Sequence, residues 1–211
     1  MIIDTTLLSR IQFGFTIGFH ILFPTLNIGL AVFLSVMEGI WLKTGNPVYL
    51  RICQFWTKIF ALTFGMGVVS GIVLAYELGT NFGPFISTAG GVIGALFVYE
   101  VLSAFFLEAG FLGVMLFGWD KVGPRLHYLA TLLVTLGTLF SALGILSANS
   151  WMQTPAGFHI DAGKYVVDSW WTVVFNPSAI PRFLHMVMAS LLTTCFAIAG
   201  VSSWYLLKRK Y

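Results

Sequence analysis

Charged side chains are scarce in this sequence. Asp, Glu, Lys and Arg make up only 9 % of the 211 residues, whereas soluble domains carry roughly 25 %. Hydrophobic residues reach 58 % and the mean hydropathy is +0.90. This composition excludes an ordinary soluble enzyme, a nucleic-acid-binding domain and a disordered regulator, and it predicts an integral membrane protein.

Cysteine is also rare, and the two cysteines, Cys53 and Cys195, both lie inside apolar runs. Isolated thiols in apolar surroundings are typical of packing residues, so the sequence predicts neither a disulfide framework nor a cysteine metal site. The four histidines are likewise too few for a histidine-rich metal cage.

Long apolar runs divide the chain into five predicted membrane spans, because a bilayer core takes about 20 apolar residues per helix. The expected fold class is an all-α, polytopic transmembrane helix bundle that forms a single domain over residues 1–211. A predicted outer loop at residues 147–182 precedes the last span. The predicted spans are 11–41, 55–76, 92–119, 128–146 and 183–207.

The distribution of Lys and Arg predicts the orientation of the bundle. Seven of the 11 basic residues fall on one side of it and three on the other. Because cytoplasmic loops carry the excess of positive charge, we expect the N-terminus outside and the C-terminus in the cytoplasm. The seven are Lys43, Arg51, Lys121, Arg125, Lys208, Arg209 and Lys210, and the three are Arg10, Lys164 and Arg182.

Several ionisable side chains fall inside the predicted spans, where each one costs at least a few kcal/mol and therefore indicates a function. His20 in the first span and Glu100 in the third are predicted at similar depths, so they could face one site. Glu108 follows on the same broad face of the helix, about 12 Å deeper. His185 opens the fifth span. The two histidines and two acids thus cluster in the outer half of the membrane.

These residues leave several interpretations open. Neutral imidazole is a common haem ligand and buried carboxylates suit proton transfer, which favours a haem-bearing oxidoreductase subunit. The alternatives are a proton-coupled transporter with a glutamate relay, for which Pro24 is a weak indication, and a non-redox structural or assembly subunit. For His20 alone the competing interpretation is a packed histidine, and for His185 it is a snorkelling or capping role.

Other ionisable residues receive structural interpretations. His127 and His159 fall between predicted spans and are expected to be solvated. Glu38 lies near the inner end of the first span and is expected to pair with Lys43.

Short blocks of sequence form a recognisable series in one colinear order over essentially the whole chain. The blocks are residues 9–13 with His20, 79–81, Glu100 with 104–108, 117–120, 148–155, 183–185 and 204–207. Together they resemble subunit I of the cytochrome bd-type quinol oxidases, and their combination is specific although no single block is. The stretches at residues 42–47 and 108–113 are most similar to the cyanide-insensitive branch of the family.

The resemblance implies an enzyme of the bacterial cytoplasmic (inner) membrane that oxidises quinol and reduces dioxygen to water with cytoplasmic protons. It implies that subunit I holds a low-spin haem b, a high-spin haem b and a haem d, or a haem b in its place. It also implies a second membrane subunit and small single-span subunits as partners.

Particular residues receive roles from the same resemblance. His20 matches an axial ligand in the high-spin haem site, and Glu100 matches a carboxylate at the metal of that site. Glu108 matches a residue of the proton path, so Glu100 and Glu108 are the expected catalytic acids. His185 matches an axial ligand of the low-spin haem b.

Three further residues are expected to contact the cofactors. Ser141 and Asn149 match polar positions near the haem site, and the charge and depth of Arg10 suit a hydrogen bond to a haem propionate. Subunit I of the family is roughly twice as long as this sequence. We therefore expect an N-terminal half or a short paralogue that needs another segment for the quinol site and for the second low-spin ligand.

Overall fold

The computed structural model describes residues 4–102 and 106–208. Helices account for most of these residues, and the sheet found among them is a two-stranded antiparallel hairpin, β1 (Phe158–Asp161) and β2 (Lys164–Val167). The helices are α1 (Thr5–Thr44), α2 (Pro47–Asn81), α3 (Gly83–Glu100), α4 (Phe106–Phe117), α5 (Pro124–Trp151), α6 (Trp170–Val174) and α7 (Ala179–Leu207).

Four helices of the described ranges, α1, α2, α5 and α7, are long and apolar enough to cross a membrane. The predicted third span, 92–119, coincides with the second half of α3, a π-helical turn at residues 101–102, and the shorter apolar helix α4. Residues 103–105, which include part of the sequence block at 104–108, lie outside the described residues. The prediction of a multi-pass helical membrane protein is confirmed, with four candidate spans where the sequence predicted five.

The four long helices all begin earlier than the predicted spans, and side chains cap the first two of them. Asp4 caps α1, since its Oδ1 accepts a hydrogen bond from the Thr6 N–H at 3.0 Å. Gly45 ends α1 with φ +66°, a left-handed conformation that favours glycine. Asn46 then caps α2 by accepting from the Val48 N–H at 2.9 Å.

The outer segment at 147–182 is partly structured, and it contains a β-hairpin that the sequence did not predict within the mostly helical fold. α5 continues through Trp151, whose ring packs on the hairpin residues Phe158 and Tyr165 at centroid distances of 5.2 and 5.7 Å. The Trp151 indole N–H donates to the Ala156 carbonyl at 3.0 Å. The hairpin therefore covers one end of the bundle as part of its packed core.

The helices alternate in direction, and the basic residues are concentrated at one end of the bundle. At one end α1, α4 and α7 finish while α2 and α5 begin; we call it the basic end, and the opposite end the hairpin end. The rings of Trp41 and Trp119 contact each other there, with centroids 6.5 Å apart. The basic residues of this end are Lys43, Arg51, Lys121, Arg125 and Lys208.

α1 and α7 cross closely at Gly29. A Cβ atom on Gly29 would lie 2.1 Å from Thr194 Oγ1 and 2.6 Å from the Ser190 carbonyl oxygen. Thr194 also donates a hydrogen bond to the Leu26 carbonyl of α1 at 3.2 Å. Small residues that let two backbones approach are a usual basis of helix association in membranes.

Replacing Gly29 by alanine is expected to push α7 away from α1 and to lower the free energy of unfolding by about 1–3 kcal/mol. Gly14→Ala is the matched control, because a Cβ on Gly14 of the same helix meets nothing within 4 Å. Thermal unfolding followed by circular dichroism in detergent measures both variants. Equal midpoints for Gly29→Ala and Gly14→Ala would contradict the close crossing.

Candidate functional site

A ladder of polar pairs joins α1 to α2. Each pair satisfies a polar group that would otherwise be costly inside an apolar bundle, so the ladder fixes the register of the two helices. The pairs are Gln12 with Asn81 at 3.1 Å, Thr16 with Glu77 at 2.7 Å, His20 with Ser70 at 2.9 Å, and Asn27 with Thr63.

His20 is held in this ladder through one ring nitrogen. Its Nδ1 lies 2.9 Å from Ser70 Oγ, and Ser70 Oγ lies 2.7 Å from the Met66 carbonyl oxygen. A hydroxyl has one proton and a carbonyl only accepts, so Ser70 donates to Met66 and accepts from the Nδ1–H of His20. The lone pair on His20 Nε2 is then available to bind a metal, and metal-ligating histidines are commonly oriented through their other nitrogen in this way.

Gly71 provides the space for the imidazole. A Cβ atom at this position would lie 3.2 Å from His20 Cε1, closer than ordinary van der Waals contact. The half-buried ring therefore rests against the bare backbone of α2. His20 is a packed histidine, but its partner is a side chain of another helix, and the packing leaves Nε2 available.

Glu100 and Glu108 both reach hydroxyl groups of α5. Ser141 donates to Glu100 Oε1 at 2.7 Å, and Thr138 is a hydrogen-bond partner of Glu108. Thr138 and Ser141 are about 4.5 Å apart along the helix axis, so both acids meet the same stretch of α5. The π-helical turn at residues 101–102 interrupts the regular spacing on which the predicted separation of the two acids rested.

His20 and Glu100 lie in different interfaces, α1 with α2 and α3 with α5. Among the described residues, no group of three or more His, Cys, Asp or Glu side chains is arranged to hold a metal ion. The geometry of His20 instead suits a metal that takes one or two ligands from the protein, as haem iron does. A single site shared by His20 and Glu100 stays a prediction.

His185 lies on an open groove of about 360 Å³ at the hairpin end. It is in the second turn of α7, which begins at Ala179, so a capping role does not apply. Arg182 donates from Nη1 to Asn149 Oδ1 at 2.9 Å, which orients its guanidinium along the same groove. The groove is lined by Leu146, Asn149, Pro181, Arg182, His185 and Met186.

Arg10 lies on a second groove at the hairpin end, with a volume of about 330 Å³. Its neighbours there include the rings of Phe13, Phe82 and Phe85 and the side chain of Met152. A cation at the rim of an aromatic groove suits a flat, partly anionic ligand.

A buried pair at the basic end was missed by the sequence analysis. His127 Nδ1 lies 2.6 Å from Glu38 Oε1, and His127 Nε2 donates to the Met115 carbonyl at 3.1 Å. Thr131 donates to the other carboxylate oxygen of Glu38 at 2.7 Å. The ring of Trp119 lies over the imidazole at a centroid distance of 3.8 Å. Glu38 and His127 are each 1 % exposed, so the prediction that His127 is solvated is wrong.

Two features of the sequence argue against the predictions made for His127 and Glu38. Gly123 and Pro124 mark the start of a helix, and this places His127 in its first turn rather than in a loop. Lys43 follows Glu38 by five residues and therefore lies on a different face of α1, so the predicted pair of Glu38 with Lys43 is also wrong. His159 is exposed as predicted, and it pairs with Asp168 at 2.7 Å.

Helix interfaces that present histidine and carboxylate groups inside an apolar bundle define a class of membrane subunits that bind haem or move protons. Comparison with known proteins gives the family. Residues 8–211 match the family described as cytochrome bd terminal oxidase subunit I. The chain belongs to this family, which confirms the resemblance found in the sequence.

Two curated relatives have similar degrees of identity. The chain is 41 % identical over 207 residues to cytochrome bd-II ubiquinol oxidase subunit 1 of Escherichia coli (strain K12), covering 97 % of this chain and 40 % of the relative. It is 40 % identical over 203 residues to cytochrome bd ubiquinol oxidase subunit 1 of Bacillus subtilis (strain 168), covering 96 % and 43 %.

A solved structure shows the same architecture. The bd oxidase from Geobacillus thermodenitrificans aligns with a TM-score of 0.92 and 31 % identity, over 98 % of this chain and 48 % of that one. The chain thus spans less than half the length of these relatives.

Removing one partner of the Glu38–His127 pair would leave the other buried without it. We expect His127→Phe to lower the free energy of unfolding by about 3–5 kcal/mol. His159→Phe is the control: the side chains of His159 and Asp168 are 54 % and 52 % exposed, so breaking their pair should cost less than about 1 kcal/mol. Denaturant unfolding in detergent compares the two, and similar losses would contradict a special role for the buried pair.

Proposed function

We propose that this chain is the haem-bearing part of a terminal quinol:dioxygen oxidoreductase, which reduces dioxygen to water with quinol electrons and cytoplasmic protons. The observation that carries the proposal is the orientation of His20, whose Nδ1 is held by Ser70 while Nε2 is available for iron. Both curated relatives are named ubiquinol oxidase subunits, which supports the reaction. Because the chain covers less than half of each relative, activity requires further segments.

The proposed topology is a single transmembrane haem-binding domain with five spans and its N-terminus outside, in the bacterial cytoplasmic (inner) membrane. The proposed fifth span consists of α3 and α4 together, on either side of residues 103–105. The concentration of Lys and Arg at the basic end supports a cytoplasmic location for that end.

The residues present fit a haem group. His20 and His185 offer imidazole nitrogens to iron, and Glu100 offers a carboxylate at the metal of the high-spin site. Arg10 offers a cation to a propionate. When bound, a low-spin haem b, a high-spin haem b and a haem d, or a haem b in its place, supply electron transfer and the reduction of dioxygen.

Ser141 and Asn149 act on the cofactor sites through other side chains. Ser141 donates to Glu100 and so fixes the direction of the carboxylate. Asn149 accepts from Arg182 and so keeps that cation beside His185. Both are therefore positioning residues of the proposed haem sites.

Glu108 and Glu100 are the proposed catalytic acids. Both side chains lie against hydroxyls of α5 in a part of the bundle with little access to water, and Glu108 is 6 % exposed. A carboxyl group in such surroundings can hold a proton and pass it to a neighbouring oxygen. Glu108 would receive protons and deliver them toward Glu100.

The proposed partners are quinol, dioxygen, a second membrane subunit and small single-span subunits. α7 is the least buried of the four long helices, so it offers an apolar face to further segments or to another subunit. The two alternatives from the sequence are not favoured. α1 runs unbroken through Pro24, whereas transporters typically use discontinuous helices, and an assembly subunit has no need of an oriented imidazole.

Replacing His20 by alanine removes the proposed iron ligand. We expect the optical spectrum of the purified oxidase to lose a high-spin haem signal while the polypeptide still inserts into the membrane. His159→Ala, in the exposed hairpin, should leave the spectrum unchanged. An unaltered haem spectrum in His20→Ala would show that the ligand assignment is wrong.

Glu108→Gln keeps the shape of the side chain but cannot hold and release the carboxyl proton. We expect the haem content to be retained and oxygen consumption with quinol to be lost. Asp161→Asn, on the exposed strand β1, is the control and should consume oxygen normally. Normal consumption in Glu108→Gln would remove this residue from the proton path.

A further inference from the structure

Three threonines of α5 face the same way between the basic end and Glu108. Thr131, Thr135 and Thr138 follow one another at intervals of four and three residues, so they share one face of the helix. Their exposures are 0 %, 8 % and 7 %, so this face is buried against other helices.

Each of these hydroxyls meets a polar side chain of a neighbouring helix. The first two partners belong to α1 and the third to α4, so the series passes from α1 to α4 as it moves away from the basic end. The contacts are Thr131 with Glu38 at 2.7 Å, Thr135 with Ser35 at 2.6 Å, and Thr138 with Glu108.

We propose that protons reach Glu108 from the basic end along this series, which we call the hydroxyl route: Glu38, Thr131, Ser35, Thr135 and Thr138. The inference rests on the proposed function, and it adds the path by which protons enter. Glu38 lies six residues from the last residue of α1, about 9 Å along the axis, so the route starts near the membrane boundary.

Protons would enter the hydroxyl route at the Glu38–His127 pair. His127 Nε2 donates to the Met115 carbonyl, so the contact between His127 Nδ1 and Glu38 Oε1 at 2.6 Å holds a single shared proton. His127 is in the first turn of α5 and therefore lies at the basic end of the bundle. A second proton entering at this pair would bind Oε2 of Glu38, and it can pass from there to the Thr131 hydroxyl that contacts this oxygen.

The hydroxyls can pass a proton because each one has a choice of acceptors. Thr135 Oγ1 lies 2.6 Å from Ser35 Oγ, 2.9 Å from the Thr131 carbonyl and 3.0 Å from the Ala31 carbonyl. Rotation of the hydroxyl moves its proton between these acceptors. The hydroxyl of Thr135 accepts a proton from one neighbour and releases its own proton to the next. One proton thereby advances along the route, and the hydroxyl is neutral again.

Successive threonines rise by about 4.5–6 Å along α5, a distance that one hydrogen-bonded water molecule spans. The competing explanation is that the threonines only link helices. Purely structural links would change the stability of the bundle when removed, but they would leave the rate of proton uptake unchanged.

The test uses Thr135→Val in the complete, haem-loaded oxidase complex, because valine replaces the hydroxyl by a methyl group of similar size. Proton uptake is followed with a pH indicator dye during a single turnover with dioxygen, and the optical spectrum reports haem content. We expect uptake to slow by about tenfold or more with haem content unchanged. Thr135→Ser restores a hydroxyl and should restore the rate.

Thr193→Val is the matched control. Thr193 also bonds the carbonyl four residues earlier, donating to Ala189 at 2.8 Å, but it lies on the exposed face of α7 outside the route. Its uptake rate should equal that of the unaltered protein. Normal uptake in Thr135→Val, or slow uptake in both Thr135→Val and Thr135→Ser, would overturn the hydroxyl route while the oxidase function stands. An unaltered complex without haem or oxygen consumption would instead refute the proposed function, and the route with it.

Discussion

A polar side chain inside an apolar helix bundle needs a hydrogen-bond partner within the protein, because water has little access there. This constraint organises the structure. The ladder between α1 and α2 pairs side chains in the parts of the two helices nearer the hairpin end, and it favours one register. The same hydrogen bond that satisfies Ser70 also selects the tautomer of His20, so packing and ligand geometry have one cause.

The other side of the bundle follows the same rule with different residues. Helix α5 supplies hydroxyls at regular intervals, and carboxylates from α1, α3 and α4 are directed onto them. Glu100 and Glu108 meet hydroxyls on neighbouring turns of α5, at Ser141 and Thr138. Glu38 and Glu108 are buried and Glu100 is half-buried, an arrangement that suits a subunit that delivers protons to a buried centre.

The sequence predicts most of the helices and several of the polar groups, because the burial of charge in apolar runs is visible without coordinates. The prediction from sequence fails where local backbone geometry decides the structure. His127 was assigned to a loop since the apolar run starts only one residue later, although Gly123 and Pro124 mark an earlier helix start. The hairpin escaped notice because its turn uses Ala162 and Gly163, both with positive φ, in place of the more usual Asn-Gly.

The partners of the candidate residues are harder to predict than the residues themselves. The predicted interval between Glu100 and Glu108 assumed a regular α-helix, whereas the described residues include a π-helical segment at 101–102. Ser70 could not be chosen as the partner of His20 over other hydroxyls, since that choice depends on the register between two helices. The role of Gly71, which leaves space for the imidazole of His20, becomes visible only in the structure.

The central claim is that the hydrogen bond between Ser70 and His20 presents Nε2 to a haem iron. An electron cryo-microscopy map of the oxidase purified from its native membrane tests this most directly. The account predicts density for a macrocycle whose iron is bound by His20 Nε2, with Nδ1 still against Ser70. A map with no macrocycle at His20, or with Nε2 turned toward Ser70, would contradict it.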